Sequence, residues 1–157
     1  NWPGLHIEPL QAPENMEVLI GWTGSPASSP HLVSEVKRLK SDPIFYGEFL
    51  EQSNTCVENL IYAFKTNNIK GVQKMIRQNR SIIQQMDKEA TVDIETKKLK
   101  LLCEIGERFG GAAKTSGAGG GDCGITIIDN RVDKHSIYEV WEKEGIKPLK
   151  FKIYHGQ

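Results

Sequence analysis

The sequence predicts an α+β domain in which an antiparallel sheet of about four strands is covered on one face by helices. Long stretches between residues 31 and 108 carry apolar residues at helical spacing, and strand-like runs occur before and after them. No internal repeat interrupts this order. At 157 residues the chain is long enough for one domain with a substantial core, so we assign residues 1–157 to a single domain.

The first strand is predicted at residues Glu17–Ile20, a short apolar run that a glycine ends. The next residues, 22–30, hold two prolines, a glycine and three serines, a composition typical of turns. A helix follows over residues 31–39, whose apolar positions recur at the spacing of an amphipathic helix. Ser28 or Ser29 stands where its N-cap belongs, because a side-chain oxygen there can accept from the first free N–H groups.

Three further helices are predicted before residue 111. The second covers residues 42–65 with Asp42 as its N-cap, the third covers residues 69–86, and the fourth covers residues 94–108 before two glycines. We interpret their apolar stripes as core packing rather than as contacts to a cofactor. Two basic residues of the third helix, Arg77 and Arg80, could reach an anionic substrate. We interpret them instead as part of a solvated helix face.

After residue 111 the pattern indicates strands again. Residues 112–115 and Ile125–Asp129 predict two strands on either side of a glycine-rich segment. Residues 133–144 have helical spacing, and Leu149–Tyr154 alternate apolar and basic residues, as in a strand with one face in the core. The order strand, helices, strand, strand, helix, strand is typical of an α+β sandwich.

The composition excludes several classes of protein. Basic and acidic residues number 20 each, so no net charge attracts nucleic acid or an anionic membrane surface. No apolar run is long enough to span a bilayer. The three cysteines form no C-x-x-C pair and no cluster with histidine, so we expect no metal site and a reducing, cytoplasmic setting. We expect Cys56 and Cys103 to be small core residues, and Cys123 a small residue beside a ligand site.

The segment Lys114–Ile125 is the most informative one. Five of the eight residues from Gly117 to Gly124 are glycine, which loses more backbone entropy on folding than any other residue. Such a loop indicates positive φ angles or close approach of the backbone to a ligand, and bare N–H groups beside lysine and hydroxyls suit phosphate oxygens. A strand follows, and no Gly-Lys-Ser/Thr ends the run, which excludes the dinucleotide fingerprint and the P-loop. A flexible linker is the alternative interpretation.

Three segments carry a resemblance to a known family. Lys114–Ile125 resembles the third, glycine-rich motif of the GHMP kinase superfamily, whereas Gly21–Ser29 and Ile153–Gln157 resemble its phosphomevalonate kinase branch. The resemblance covers nearly the whole chain, from about Trp2 to Gln157. It implies a ferredoxin-like C-terminal domain of a kinase that uses ATP and Mg²⁺ to convert 5-phosphomevalonate to 5-diphosphomevalonate in isoprenoid biosynthesis.

The resemblance also implies binding residues. It places the nucleotide's β- and γ-phosphates against Lys114, Ser116, Gly117, Ala118, Gly119, Gly120, Gly121 and Asp122. For Asp122 we favour hydrogen bonds that orient loop amides over a water-mediated contact to Mg²⁺. The second segment is expected to bind phosphomevalonate through Ser28, Ser29 and His31, beside the N–H groups of a helix start. Alternatively, one of these serines only caps the helix.

The family's N-terminal phosphate loop, Pro-x-x-x-Gly-Leu-x-Ser-Ser-Ala, does not occur in this sequence. We therefore expect the second domain of a longer kinase, with a missing N-terminal domain as its partner and with the catalytic residues outside these 157 residues. The domain alone is then inactive, and neither nucleic acid nor a membrane is a partner. The alternatives are another GHMP kinase, such as mevalonate or homoserine kinase, and a non-enzymatic module that binds a protein.

Overall fold

The computed structural model describes residues 10–25, 34, 37–38, 41–116 and 123–150. Within this part the elements are β1 (Met16–Trp22), α1 (Pro43–Lys65), α2 (Ile69–Ala90), α3 (Lys97–Arg108), β2 (Ala112–Ser116), β3 (Cys123–Asp129), α4 (Lys134–Lys143) and β4 (Lys147–Leu149). Ser34, Lys37 and Arg38 are also helical, and the rest of the predicted helix 31–39 lies outside the described residues. None of the described helices has both the length and the apolar composition that crossing a membrane requires.

The described strands form one antiparallel sheet with the order β2-β3-β1-β4. β1 pairs along its length with β3, from Met16 opposite Asp129 to Trp22 opposite Cys123. β4 pairs with the other side of β1 and places Lys147 opposite Trp22. The predicted α+β class and the antiparallel sheet of four strands are confirmed.

Helices cover both faces of this sheet, whereas the sequence predicted one covered face. Because side chains alternate across a strand, Leu19 and its neighbour Val18 point to opposite faces. The face of Leu19 packs against α3 and α4, through Leu102, Ile105, Ile137 and Trp141. The face of Val18 packs against α1 and α2, through Ala63, Ile69, Val72 and Ile76. Helical periodicity predicts an amphipathic helix but does not specify the face of the sheet on which it packs.

The start of α3 differs from the predicted one. The helix begins at Lys97 rather than at Ile94, because Thr96 is its N-cap and accepts a hydrogen bond from the N–H of Leu99 at 3.3 Å. The backbone N–H of Ile94 donates to the carboxylate of Asp87 instead, at 2.6 Å. The Asp87 side chain of α2 therefore accepts a backbone hydrogen bond from the segment that precedes α3.

Two arginines tie α2 to the α3 region. Arg80 donates two hydrogen bonds, of 2.8 and 3.0 Å, to the carboxylate of Glu95, and the two side chains are only 15% and 3% exposed. Arg77 donates to both carboxylate oxygens of Glu107 and to the carbonyl of Gly111. The interpretation of Arg80 as part of a solvated face is therefore wrong. Its guanidinium is largely buried because it pairs with Glu95, a residue outside the helical repeat of α2.

Candidate functional site

The pairing of the strands brings both predicted site segments to one end of the sheet. Ser116, the last residue of β2, lies opposite Cys123 at the start of β3, and Cys123 lies opposite Trp22 at the end of β1. Ser116, Cys123 and Trp22 therefore form a row across the three strands. Lys147 in β4 extends this row on the other side of Trp22. The glycine-rich loop between residues 116 and 123 therefore connects to the sheet directly beside the point where the second segment leaves it.

Of the predicted binding residues, the structure describes Lys114 and Ser116. The others lie outside the described residues, and their roles stay predictions: Gly117, Ala118, Gly119, Gly120, Gly121 and Asp122 in the loop, and Ser28, Ser29 and His31 in the second segment. What the structure provides is the position of the strand ends from which both segments start.

Lys114 and Ser116 lie on the same face of β2, because side chains two residues apart in a strand point the same way. Both are half-buried. Burial lowers the pKa of the Lys114 ammonium, and only the deprotonated forms of Cys56 and Cys103 would act in the opposite direction. Within the described part of the chain, no carboxylate forms an ion pair with Lys114. A partly desolvated ammonium without a carboxylate gains free energy when an anionic ligand binds beside it.

Two glycines of the site segments serve helix packing. Gly21 and Gly124 lie opposite each other in the β1–β3 pairing. A Cβ atom on Gly124 would lie 2.7 Å from Cδ2 of Leu102, and one on Gly21 would lie 2.8 Å from Cδ1 of the same leucine. Leu102 is fully buried, so its side chain has little free volume into which it could move. The absence of both Cβ atoms therefore allows α3 to lie close to this end of the sheet.

The chain turns immediately after Trp22, where the second predicted site segment leaves β1. Thr23 is buried, with 1% of its surface exposed, and Gly24 has a φ of 83°. This left-handed conformation favours glycine and redirects the chain. Thr23 is therefore buried directly before the turn that leads out of β1.

Cys56 and Cys103 form no disulfide. Cys56 and Cys103 are buried, which confirms the prediction that they are small core residues. Burial raises the pKa of Cys103 to about 12 and also raises that of Cys56, so both thiols are protonated at neutral pH. Among the described residues, no group of three or more histidine, cysteine, aspartate or glutamate side chains gathers to bind a metal ion.

Two residues of this row, Trp22 and Lys147, were not predicted from the sequence as site residues. Trp22 is 39% exposed although it ends a strand of the core sheet, and Lys147 is exposed opposite it. The position of Lys147 depends on the pairing of β4 with β1, which no local pattern specifies. The exposure of Trp22 had no local signal either, because the alternation of β1 places it on the face of Val18, which α1 and α2 cover.

The geometry defines a class of protein: an α+β sandwich with a glycine-rich connection between two adjacent antiparallel strands at one end of its sheet. A family model described as GHMP kinases C terminal matches residues 60–147, which is more than half of the chain. The chain belongs to this family.

Individual relatives agree with the family assignment. Phosphomevalonate kinase from Streptomyces sp. (strain CL190) is 36% identical over 151 residues, covering 94% of this chain and 40% of that protein. The crystal structure of a Lin0012 protein from Listeria innocua matches with a TM-score of 0.89 and 39% identity, covering 97% of this chain and 43% of that one. Streptococcus pneumoniae phosphomevalonate kinase in complex with phosphomevalonate and AMPPNP matches with a TM-score of 0.74 and 27% identity, covering 88% and 40%. The chain spans less than half the length of each relative.

Proposed function

We propose that this chain is the C-terminal domain of a phosphomevalonate kinase. This phosphotransferase moves the γ-phosphoryl group of ATP to the phosphate of 5-phosphomevalonate and forms 5-diphosphomevalonate, a step of the mevalonate pathway in the cytoplasm. The observation that carries the proposal is the 36% identity to the Streptomyces phosphomevalonate kinase over 94% of this chain. The phosphomevalonate and AMPPNP in the Streptococcus complex support the same pair of substrates.

The described residues suit the donor side of this reaction. Phosphoryl transfer depends on positioning and on neutralising charge at the phosphoryl oxygens. Lys114 offers a half-buried positive charge without a carboxylate partner among the described residues, and Ser116 offers a hydroxyl donor on the same face. In this proposal the amides of the adjoining loop, residues 117–122, complete the contacts to the β- and γ-phosphates.

The acceptor side belongs to the second segment in this proposal. Ser28, Ser29 and His31 follow the turn after Trp22, which lies opposite Cys123 at the end of the glycine-rich loop. Donor and acceptor phosphates would then meet above one end of the sheet. In this proposal the catalytic residues lie in the N-terminal domain of the longer enzyme, because the family's N-terminal phosphate loop does not occur in this sequence.

A coupled ADP-release assay on the full-length gene product tests the function. We expect turnover with 5-phosphomevalonate and none with mevalonate or homoserine. Turnover of mevalonate alone would assign the chain to another GHMP kinase. A folded, full-length protein that turns over none of the three substrates would favour a non-enzymatic module.

A substitution in the loop tests the donor site separately. Gly119→Val adds a β-branched side chain where we expect the backbone to approach phosphate, so the KM for ATP should rise at least tenfold or turnover should cease. Circular dichroism and the melting temperature should match those of the wild type. Unchanged kinetics in a folded variant would contradict the proposed phosphate site.

A further inference from the structure

The side chains of the row at the end of the sheet share one face. Residues directly opposite each other in neighbouring antiparallel strands point the same way, with Cβ atoms about 4.5–5.5 Å apart. The register therefore places four side chains side by side: Ser116, Cys123, Trp22 and Lys147. Lys114 belongs to the same face, because it precedes Ser116 by two residues in β2. At about 4.8 Å between strands, the row spans roughly 14 Å from Ser116 to Lys147.

The two ends of this row carry positive charge. Lys114 stands beside Ser116 at one end, and Lys147 forms the other end. Within the part of the chain that the structure describes, neither ammonium forms an ion pair with a carboxylate. The lysines at the two ends of α4 differ in this respect, since Lys134 and Lys143 are each paired with a glutamate. Two unpaired ammonium groups at opposite ends of one row favour a ligand that is anionic at both ends.

An exposed aromatic ring lies between the charged ends. Trp22 is 39% exposed, whereas Met16, on the same face at the other end of β1, is buried in the core. Its indole therefore offers an apolar surface that a ligand's carbon atoms can cover with a gain in free energy. Because Trp22 lies directly opposite Lys147, a carboxylate bound by this ammonium brings the adjoining carbon atoms next to the ring.

We propose that Lys147 binds the carboxylate of 5-phosphomevalonate and that Trp22 contacts its carbon chain. This inference rests on the proposed function, because it takes this acceptor as the ligand. The acceptor carries a phosphate and a carboxylate at opposite ends of a short carbon chain that bears a methyl group. With the donor phosphates at Lys114 and Ser116, the groups follow one order along the row: donor phosphate, acceptor phosphate, carbon chain and carboxylate.

The chemistry of the reaction excludes the reverse orientation. Phosphoryl transfer requires an oxygen of the acceptor phosphate in line with the γ-phosphorus, so the acceptor phosphate has to lie at the donor end of the row. Its carboxylate then points away from Ser116, towards Lys147. A lysine ammonium on its flexible stem can close the remaining distance. Since the carboxylate does not change during the reaction, this contact stabilises the bound substrate and the transition state equally and contributes to KM rather than to kcat.

Steady-state kinetics of the full-length gene product test the role of Lys147. Lys147→Met keeps the length of the side chain and removes its charge. We expect the KM for 5-phosphomevalonate to rise by about tenfold or more, with kcat and the KM for ATP unchanged. Lys147→Arg should keep most of the affinity, because it restores the charge. Lys143→Met is the matched control: this lysine of α4 is 71% exposed, lies outside the row and should change none of the three constants.

A modified acceptor separates a contact with the carboxylate from a general effect on the fold. The probe is the carboxamide analogue of 5-phosphomevalonate, which lacks the negative charge at that end. Titration calorimetry should show that the wild type binds the acid about tenfold or more tightly than the amide, and that Lys147→Met binds both equally. A Lys147→Met variant that still prefers the acid as strongly as the wild type would overturn the assignment of Lys147.

Trp22→Leu tests the contact with the carbon chain. A smaller apolar side chain covers less of the ligand, so the KM for 5-phosphomevalonate should rise by about threefold or more while the KM for ATP stays constant. Trp22→Phe keeps an aromatic ring and should have a smaller effect. An unchanged KM for the acceptor in Trp22→Leu would overturn the contact with Trp22.

The binding measurement also distinguishes this inference from the proposed function, because calorimetry requires no turnover. Turnover of 5-phosphomevalonate by the wild type, together with equal affinity of Lys147→Met for it, would overturn the inference and retain the function. Binding that depends on Lys147 without turnover would reject the proposed function and retain the inference. A wild type that does not bind 5-phosphomevalonate would overturn both.

Discussion

Gly21 and Gly124 lie opposite each other in the central strands, and both lie beneath the side chain of Leu102. The carbonyl of the same leucine accepts a hydrogen bond of 3.2 Å from Nε1 of Trp141, so α4 is joined to this contact. The pair therefore fixes the depth at which α3 and α4 sit on the sheet. Since the glycine-rich loop ends at Cys123, one residue before Gly124, the same contact positions the C-terminal end of this loop.

A methyl group at Gly124 should destabilise the domain. Gly124→Ala places a Cβ within 2.7 Å of Leu102, which is fully buried, so the core has to shift. We expect the free energy of unfolding to fall by about 1–3 kcal/mol, as for other overpacked cores. Urea denaturation followed by circular dichroism measures the change.

Gly47→Ala is the control for this substitution. Gly47 lies inside α1, and a Cβ there would meet no atom within 4 Å. We expect this variant to gain about 0.5–1 kcal/mol, because alanine is favoured over glycine inside a helix. A loss of stability at Gly47 equal to that at Gly124 would show that the contact with Leu102 is not the cause.

Replacing Arg80 should lower the free energy of unfolding strongly, because its partner Glu95 is buried. Arg80→Met leaves the carboxylate of Glu95, only 3% exposed, without its guanidinium. We expect a loss of about 3–5 kcal/mol, and a much smaller loss in the double variant Arg80→Met/Glu95→Leu, which removes both charges. Thermal and urea unfolding of the three proteins measure this difference.

The control is Lys143→Met, which breaks a pair with Glu139 in which both side chains are 71% exposed. Surface pairs of this kind contribute less than about 1 kcal/mol. If Arg80→Met lowered the free energy of unfolding no more than Lys143→Met, the Arg80–Glu95 pair would not stabilise the segment before α3 in solution.

Asp129 should contribute to the acid sensitivity of the fold. Hydrogen bonds from the side chain and backbone of Arg131, and from the amide of Asn15, lower the pKa of Asp129 to about 2. Because this pKa is below that of the unfolded chain, the carboxylate stabilises the fold above about pH 4, and its contribution is lost as the pH falls through about 2. The stability difference between wild type and Asp129→Asn should therefore shrink over that range. A difference independent of pH would contradict this assignment.

Local patterns predicted most elements well. Asp42 caps α1 through the N–H of Phe45, as the sequence predicted, and α2 begins at Ile69, where the apolar stripe of the third helix was predicted to start. The glycine-rich run was correctly placed between two strands. These features depend on residues that are close in sequence, and periodicity and capping report on such residues directly.

Features set by distant residues could not be predicted in the same way. The burial of Arg80 depends on Glu95, which lies outside the helical repeat that contains the arginine. The row that joins Ser116 to Lys147 depends on the strand order β2-β3-β1-β4, which the sequence order of the strands does not determine. The packing role of Gly21 and Gly124 depends on a leucine of α3. The sequence predicted only that Gly21 ends the first strand, and that the glycine-rich segment needs positive φ angles or lies close to a ligand.

Lys114 should show opposite effects on stability and on nucleotide binding. Burial lowers the pKa of its ammonium below that of the unfolded chain, so the charged form destabilises the ligand-free fold at all pH values below this pKa. Lys114→Met keeps the length of the side chain and removes the charge. We therefore expect a higher melting temperature without ligand at pH 7.

The same variant should bind ATP less well in the full-length enzyme. Loss of a charge-assisted hydrogen bond, about 1.5–3 kcal/mol, raises the KM for ATP by about tenfold or more, with a smaller effect on the KM for phosphomevalonate. Lys100→Met, at a lysine that is 61% exposed and paired with Glu104, is the control and should change neither property. If Lys114→Met lowered the melting temperature and left the KM for ATP unchanged, Lys114 would be a structural residue, and the loop amides and Ser116 would have to bind the phosphates without it.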